Sequence, residues 1–256
     1  MLPSRCIIFG SGSSILYGMY NGLFFYLPKE VVFSLNDNNK FIQSTVAMFG
    51  DWTAYASRFD LYKQHPLVIG RHDMHMGRHI EGAIPCPKHD GLILLQGSGK
   101  YHGNDGLTKG LYSMTLTGAF TLNLAIRLGF KNIYMLGMDC CEINGQTHWY
   151  QDIEGAGQFL NYEGQPYTGV GKNKLGEYNT SFYNSNDTNI NELWKPFEVE
   201  MDKVKIFNVS PLSRISVFPK IDYREFLKTL KENPISISQE EVQKEIRLLL
   251  TPFNKV

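Results

Sequence analysis

Seven short apolar runs mark out the chain. Cys6-Ile7-Ile8-Phe9, Val31-Val32-Phe33-Ser34-Leu35, Val46-Ala47-Met48-Phe49, Leu67-Val68-Ile69-Gly70 and Leu92-Ile93-Leu94-Leu95 lie in its first half. Asn132-Ile133-Tyr134-Met135-Leu136-Gly137 and Val204-Lys205-Ile206-Phe207-Asn208-Val209-Ser210 follow. Most are apolar at nearly every position, as strands buried on both faces of a parallel sheet are. Between them the period changes. Phe120, Leu124 and Leu128 recur at every fourth position with Ala125 alongside, which predicts a helix from Thr117 that Gly129 stops. A second helix is expected after Gly10–Ser14, running to about Tyr26 with Pro28 beyond it. Tyr55 to Tyr62 reads as a short helix and Tyr223 to Leu230 as a longer one. Ser238 with Glu241 forms a capping-box signature ahead of Val242, Ile246, Leu249 and Leu250, a terminal amphipathic helix.

Strands alternating with helices predict the α/β class. The expected architecture is a single Rossmann-like domain over residues 1–256, with a mostly parallel sheet of about six to seven strands and helices on both faces. A long lid loop is expected at about 155–191, and the C-terminal helices at about 223–250. Gly155 to Asn191 has no sustained period and is dense in Gly, Asn and Tyr, including Tyr162, Tyr167, Tyr178 and Tyr183. Gln96 to Gly106 reads as a mobile polar loop. No internal repeat or linker divides the chain.

Composition narrows the function classes. An apolar content of 43% supports a substantial core, and a net charge of zero argues against a surface built for duplex nucleic acid. No apolar run reaches the length of a membrane span. Pro3-Ser4-Arg5 leads directly into a strand, so no signal peptide is expected. Cys6, Cys86, Cys140 and Cys141 show no disulfide spacing, which suits reduced thiols in a cytoplasmic protein. Homo-oligomerisation is left open.

The candidate chemistry lies at strand ends. Gly10-Ser11-Gly12-Ser13-Ser14 turns the first strand towards a helix, and its N–H groups and hydroxyls suit a phosphate. Ile15 stands where a dinucleotide fingerprint has its third glycine, so the turn is also readable as a tight strand-to-helix connection. Asp37, in Asn36-Asp37-Asn38-Asn39, is placed either to take ribose hydroxyls or to make an Asx-rich turn. His75 and His79 lie four apart among Arg71, His72 and Arg78, but no Glu or Cys completes a zinc motif and no metal site is assigned. Asp139 sits just past a buried strand, where open α/β sheets bind ligands. The sequel to Asp152 holds the densest chemistry. His148 is the best base by type, Asp152 follows four residues later to orient it, and Tyr150 can donate to a leaving phosphate. The alternative is that His148-Trp149-Tyr150 is packing. His102, in a Gly-rich loop, is the competing base.

Ile7-Ile8-Phe9-Gly10-Ser11-Gly12-Ser13-Ser14 resembles the opening strand and turn of the bacterial sialyltransferases of glycosyltransferase family 42. Leu116-Thr117-Gly118 with its helix, and Gly129 to Asp139, resemble that family's central segment. Lys203 to Ser213 is similar to its last strand and turn. The same elements occur in the related 6-hydroxymethylpterin diphosphokinase-like family. The resemblance implies that Ser11, Asn36, Asp51, Thr117 and Gly118 surround a nucleotide, with Asp139 beside its ribose or phosphate. It departs at three places: Asp51 replaces an Asn, Met114 an Arg, and Tyr178 to Asn191 carries no His. The expected activity is sugar transfer from a nucleotide-activated, CMP-sugar-like donor to an acceptor hydroxyl of unspecified identity. The alternatives are a diphosphokinase with Mg²⁺ held by Asp139, Glu142 and Asp152, or an inactive nucleotide-binding protein. Outside the Mg²⁺ alternative, no cofactor is expected.

Overall fold

The structure is a computed structural model that describes residues 1–50, 55, 58–72, 88–113, 116–146, 148–150, 187–236 and 238–255. Its strands are β1 (Arg5–Phe9), β2 (Val32–Leu35), β3 (Val46–Phe49), β4 (Val68–Arg71), β5 (Leu92–Leu95), β6 (Gly97–Ser98), β7 (Leu111–Tyr112), β8 (Asn132–Leu136) and β9 (Lys205–Asn208). The helices are α1 (Ile15–Tyr20), α2 (Phe59–Tyr62), α3 (Gly106–Lys109), α4 (Thr117–Arg127), α5 (Asp187–Glu192), α6 (Tyr223–Glu232) and α7 (Gln239–Leu250). Seven strands form one sheet in the order β5-β4-β3-β2-β1-β8-β9. Every pairing in it is parallel. The fold is α/β and Rossmann-like, as the apolar runs predict. The β6–β7 pair is a separate two-stranded sheet.

Alternation along the strands builds the core on both faces. Ile8, Phe33, Met48, Ile69 and Met135 face one way and bury α4 together with Val242, Ile246 and Leu250 of α7. Ile7, Phe9, Val32 and Leu136 face the other way, under Ile15 of α1 and Tyr223, Phe226 and Leu230 of α6. Helix α4 is buried at each residue from Thr117 to Ile126, beyond the predicted stripe, and Gly129 ends it at φ +93°. The chain carries a large apolar helix because a parallel sheet covered on both faces leaves no solvated side for it.

Three expectations are corrected. The first helix ends at Tyr20 instead of about Tyr26, because Gly22 turns left-handed at φ +83° and the chain continues as 3₁₀ turns at Leu23–Phe25 and Leu27–Lys29. Residues 96–106 are not a plain loop: they include β6 and a 3₁₀ turn at Gly103–Asp105 leading into α3. Leu249 is 42% exposed, and the inner face of α7 is Val242, Ile246 and Leu250. The Ser238–Glu241 capping box is present in full.

Helix α7 closes the N-terminal edge of the sheet. Gln243 donates to the Thr45 carbonyl at 2.9 Å, and Arg247 donates to the carbonyls of Asp90 (2.7 Å) and Pro66 (2.6 Å). The chain then turns back along edge strand β5, where the Leu94 N–H donates to Asn254 Oδ1 and the Lys255 N–H to the Leu94 carbonyl, 2.8 and 2.9 Å. This caps an edge that would otherwise offer free ladder groups.

Two histidines under this edge are held neutral. The Leu67 N–H donates to His65 Nδ1 at 3.2 Å, so the ring proton sits on Nε2, 3.1 Å from the Ser44 carbonyl. The Gly91 N–H donates to His89 Nδ1 at 3.2 Å, and His89 Nε2 is buried without a hydrogen bond. Burial lowers both pKa values, against the Ser44 and Leu67 hydrogen bonds at His65 and the Asp90 charge at His89. The unfolded chain therefore binds these protons first as pH falls. Stability should be fully present above the unfolded value of about 6.5 and fall as pH drops towards the lower folded values. Melting curves from pH 7.5 to pH 5 check this; a flat profile would contradict it.

Candidate functional site

Sheet order reverses direction at β1, with β2 on one side and β8 on the other. Ligands of open α/β sheets bind outside the carboxyl ends of the strands at such a switch point. Here the two turns that leave β1 and β8 are bound to each other. The Gly10 N–H donates to the Leu136 carbonyl and the Gly12 N–H to the Gly137 carbonyl, both at 2.8 Å. The Ser14 N–H donates to Asp139 Oδ2 at 2.8 Å and the Ser14 hydroxyl to Oδ1 at 2.6 Å. A protein carboxylate thus occupies the start of α1, the position a phosphate would take. Asp139 is buried, and desolvation raises its pKa against the lowering effect of the Ser14 hydrogen bonds.

The glycines of this turn serve that packing. A Cβ on Gly12 would lie 2.6 Å from Asp139 Cγ and 2.7 Å from the Gly137 carbonyl oxygen, and one on Gly10 also 2.7 Å from that oxygen. Gly12→Ala should therefore cost about 1–3 kcal/mol of stability through overpacking, read from urea denaturation. Wild-type stability in Gly12→Ala would show that the two turns can part freely.

The segment after Asp139 folds back over the β1 turn. Ile143 and Gln146 pair across a two-residue turn, with Asn144 at φ +53° and Gly145 at φ +78°. Asn-Gly favours this hairpin because both central residues need positive φ. The Ser13 hydroxyl donates to the Gln146 carbonyl at 2.9 Å, and the Trp149 N–H donates to the Ser11 carbonyl at 3.0 Å. The Trp149 indole N–H donates to Asn38 Oδ1 at 2.7 Å, and its ring packs edge-on against Phe9, Phe24 and Phe41. Asn38 in turn donates to Ser11 Oγ (3.2 Å) and the Leu35 carbonyl (2.8 Å). Trp149 is a buried anchor, so part of the 148–150 run is packing.

Its neighbours surround a buried charge. Asp37, past the end of β2, forms an ion pair with Arg58 through Oδ1 and accepts from the Tyr150 phenol through Oδ2 at 3.3 Å. Desolvation pulls the Arg58 pKa down, but Asp37 more than offsets it and the guanidinium stays firmly charged. The half-buried His148 ring lies 5.4 Å from that of Tyr150. Desolvation lowers its pKa, and the Asp37 charge opposes the shift. A neutral imidazole is the form a general base needs. Among the described residues, the carboxylate whose charge reaches His148 is Asp37; Asp152, expected there from spacing, lies outside the described residues.

Other candidates are brought to the same end of the sheet. Asn36 caps β2 at φ +49°, and its buried Oδ1 makes no hydrogen bond. Thr117 is in van der Waals range of Gly50, just past β3, so Ser11, Asn36 and Thr117 stand at the ends of three neighbouring strands. A Cβ on Gly118 would meet Met138 at 2.9 Å and Trp194 at 3.3 Å, which makes it a packing glycine. Glu142 is exposed, both Asp139 oxygens accept from Ser14, and no group of His, Cys, Asp and Glu able to hold a metal occurs among the described residues. Cys6, Cys140 and Cys141 are free thiols. His102 contacts Ser98 Oγ at 3.0 Å. Asp51, His75, His79, Cys86, Met114 and residues 151–186 of the expected lid, with its four tyrosines, lie outside the described residues.

Asp37 was visible in the sequence as a strand-end carboxylate; the Asn144-Gly145 hairpin was not predicted, although Asn-Gly is its usual signal. Arg58 carried no signal. Together fold and site define an α/β, Rossmann-like protein with a buried ionic cluster at the carboxyl ends of β1 and β2. Compared with protein-family models, curated proteins and solved structures, the chain matches none. Among the described residues no helix is long and apolar enough to cross a membrane.

Proposed function

We propose that the chain is a glycosyltransferase-like enzyme that transfers a sugar from a nucleotide-activated donor, of the CMP-sugar kind, to an acceptor hydroxyl. The observation that carries this reading is His148, kept neutral and half-buried beside the Asp37–Arg58–Tyr150 cluster at the ligand-binding end of the sheet. In this reading His148 removes the acceptor proton, and Asp37 stabilises the imidazolium that forms. The nucleotide lies over the ends of β1 to β3, on Ser11, Asn36 and Thr117, displaced from the α1 start that Asp139 fills. The free Asn36 Oδ1 suits an amino or hydroxyl donor of the base or ribose, and its left-handed backbone is of the kind held at binding sites.

A thermal-shift panel of CMP, UDP, GDP, ATP and NAD, each with and without Mg²⁺, tests the proposal. A ligand at a hundred times its dissociation constant adds about 2.7 kcal/mol of stability, a readable shift. CMP or another pyrimidine nucleotide should raise the melting temperature without Mg²⁺. A response confined to ATP with Mg²⁺ would favour diphosphate transfer, and no response to any nucleotide would remove the proposal.

A further inference from the structure

A second concavity opens on the other side of the β1 turn from His148. It is a cleft of about 310 Å³ where α1, α6 and the turn after β9 meet. Ser14, Ser210 and Tyr223 lie at its floor, and Tyr17, Asn21, Leu212 and Arg224 are among the residues at its lip. The floor is unusual in its hydrogen bonding. The Ser210 hydroxyl and the Tyr223 phenol are both buried without a well-aligned hydrogen bond; Ser210 lies against the Asp139 carboxylate, and the Tyr223 phenol against Ser14 and the Gly137 backbone. Hydroxyls held by such poorly aligned contacts are available to a better-placed partner.

Three constraints fix what the cleft would take. The volume suits one ring-sized molecule. Asp222 and Arg224 oppose each other at the lip and the Asp139 carboxylate lies beneath the floor, so an anion is disfavoured and a neutral molecule preferred. The two hydroxyls and the Asn21 side-chain oxygen offer hydrogen bonds, the Asn21 amide N–H donating to the Tyr17 carbonyl at 2.6 Å, while Leu212 (55% exposed) and Tyr17 (46% exposed) present apolar faces. A neutral, polyhydroxylated ring with one C–H face matches all three. We propose that the cleft between α1, α6 and the β9 turn is a monosaccharide-binding subsite, with Tyr223 and Ser210 as its polar floor and Tyr17 and Leu212 as its stacking lip. Sugar binding in this cleft does not depend on the transferase reading.

Ligand-observed saturation-transfer NMR with the methyl glycosides of glucose, galactose, mannose and N-acetylglucosamine tests the subsite on the full chain. At least one should bind the wild type. Tyr223→Phe removes a hydroxyl held only by poorly aligned contacts with Ser14 and the Gly137 backbone, so its melting temperature should change little while glycoside affinity falls about fivefold, the worth of one neutral hydrogen bond. Tyr17→Ala should weaken binding without touching the floor. Saturation transfer from none of the four glycosides would overturn the proposal. So would a Tyr223→Phe protein that binds as tightly as wild type. CMP binding is scored separately on the same samples. Its absence with glycoside binding intact removes the transferase reading alone, and the reverse removes the sugar cleft alone.

Discussion

His148→Gln should lower turnover by two to four orders of magnitude and leave nucleotide affinity nearly unchanged, the range that loss of a general base produces. The imidazole lies beside Tyr150 and Asp37, while the nucleotide is assigned to Ser11, Asn36 and Thr117, so the substitution removes chemistry and leaves binding. The pH profile follows from the same environment. Burial lowers the His148 pKa from its ordinary value near 6.5, so the base stays unprotonated at neutral pH and the acid limb of the rate profile lies below that value. Asp37 opposes that shift. Asp37→Asn should therefore move the limb further to the acid side, an effect a merely structural carboxylate would not have. Near-normal turnover in His148→Gln would mean that the proton goes elsewhere.

Arg58→Ala is expected to cost about 3–5 kcal/mol, because it leaves the buried Asp37 carboxylate without its cation. Urea denaturation at pH 7.5 gives the number. The double variant Arg58→Ala with Asp37→Asn should recover a large part of the loss, since removing both charges leaves nothing buried and uncompensated. A single variant as stable as wild type would show that water reaches the pair.

The sheet was legible because its strands are apolar at nearly every position, and parallel strands covered on both faces have no other pattern available. The capping box at Ser238 and the stop at Gly129 were equally local, each set by residues within one turn. What the sequence did not show was long-range. Asp139 reads as a ligand-facing carboxylate until the fold sets it against Ser14, 125 residues away in the chain. The glycines of the β1 turn read as a phosphate loop, and nothing in the sequence shows that a Cβ on Gly10 or Gly12 would meet the backbone of the β8 turn. Spacing offered Asp152, outside the described residues, as a partner of His148; it gave no sign that Asp37 also lies near, brought there from a strand end more than a hundred residues earlier. Arg58 has no motif at all. Its importance comes only from the burial of the carboxylate beside it.

Hydrogen–deuterium exchange with and without the nucleotide that gives the largest thermal shift tests the central claim most directly. Amides at Ser11, Asn36–Asn38, Thr117–Gly118 and His148–Tyr150 should gain protection together, since they border one site at the ends of β1 to β3. Unchanged exchange at these positions under saturating nucleotide, or protection gathered at another edge of the sheet, would contradict it.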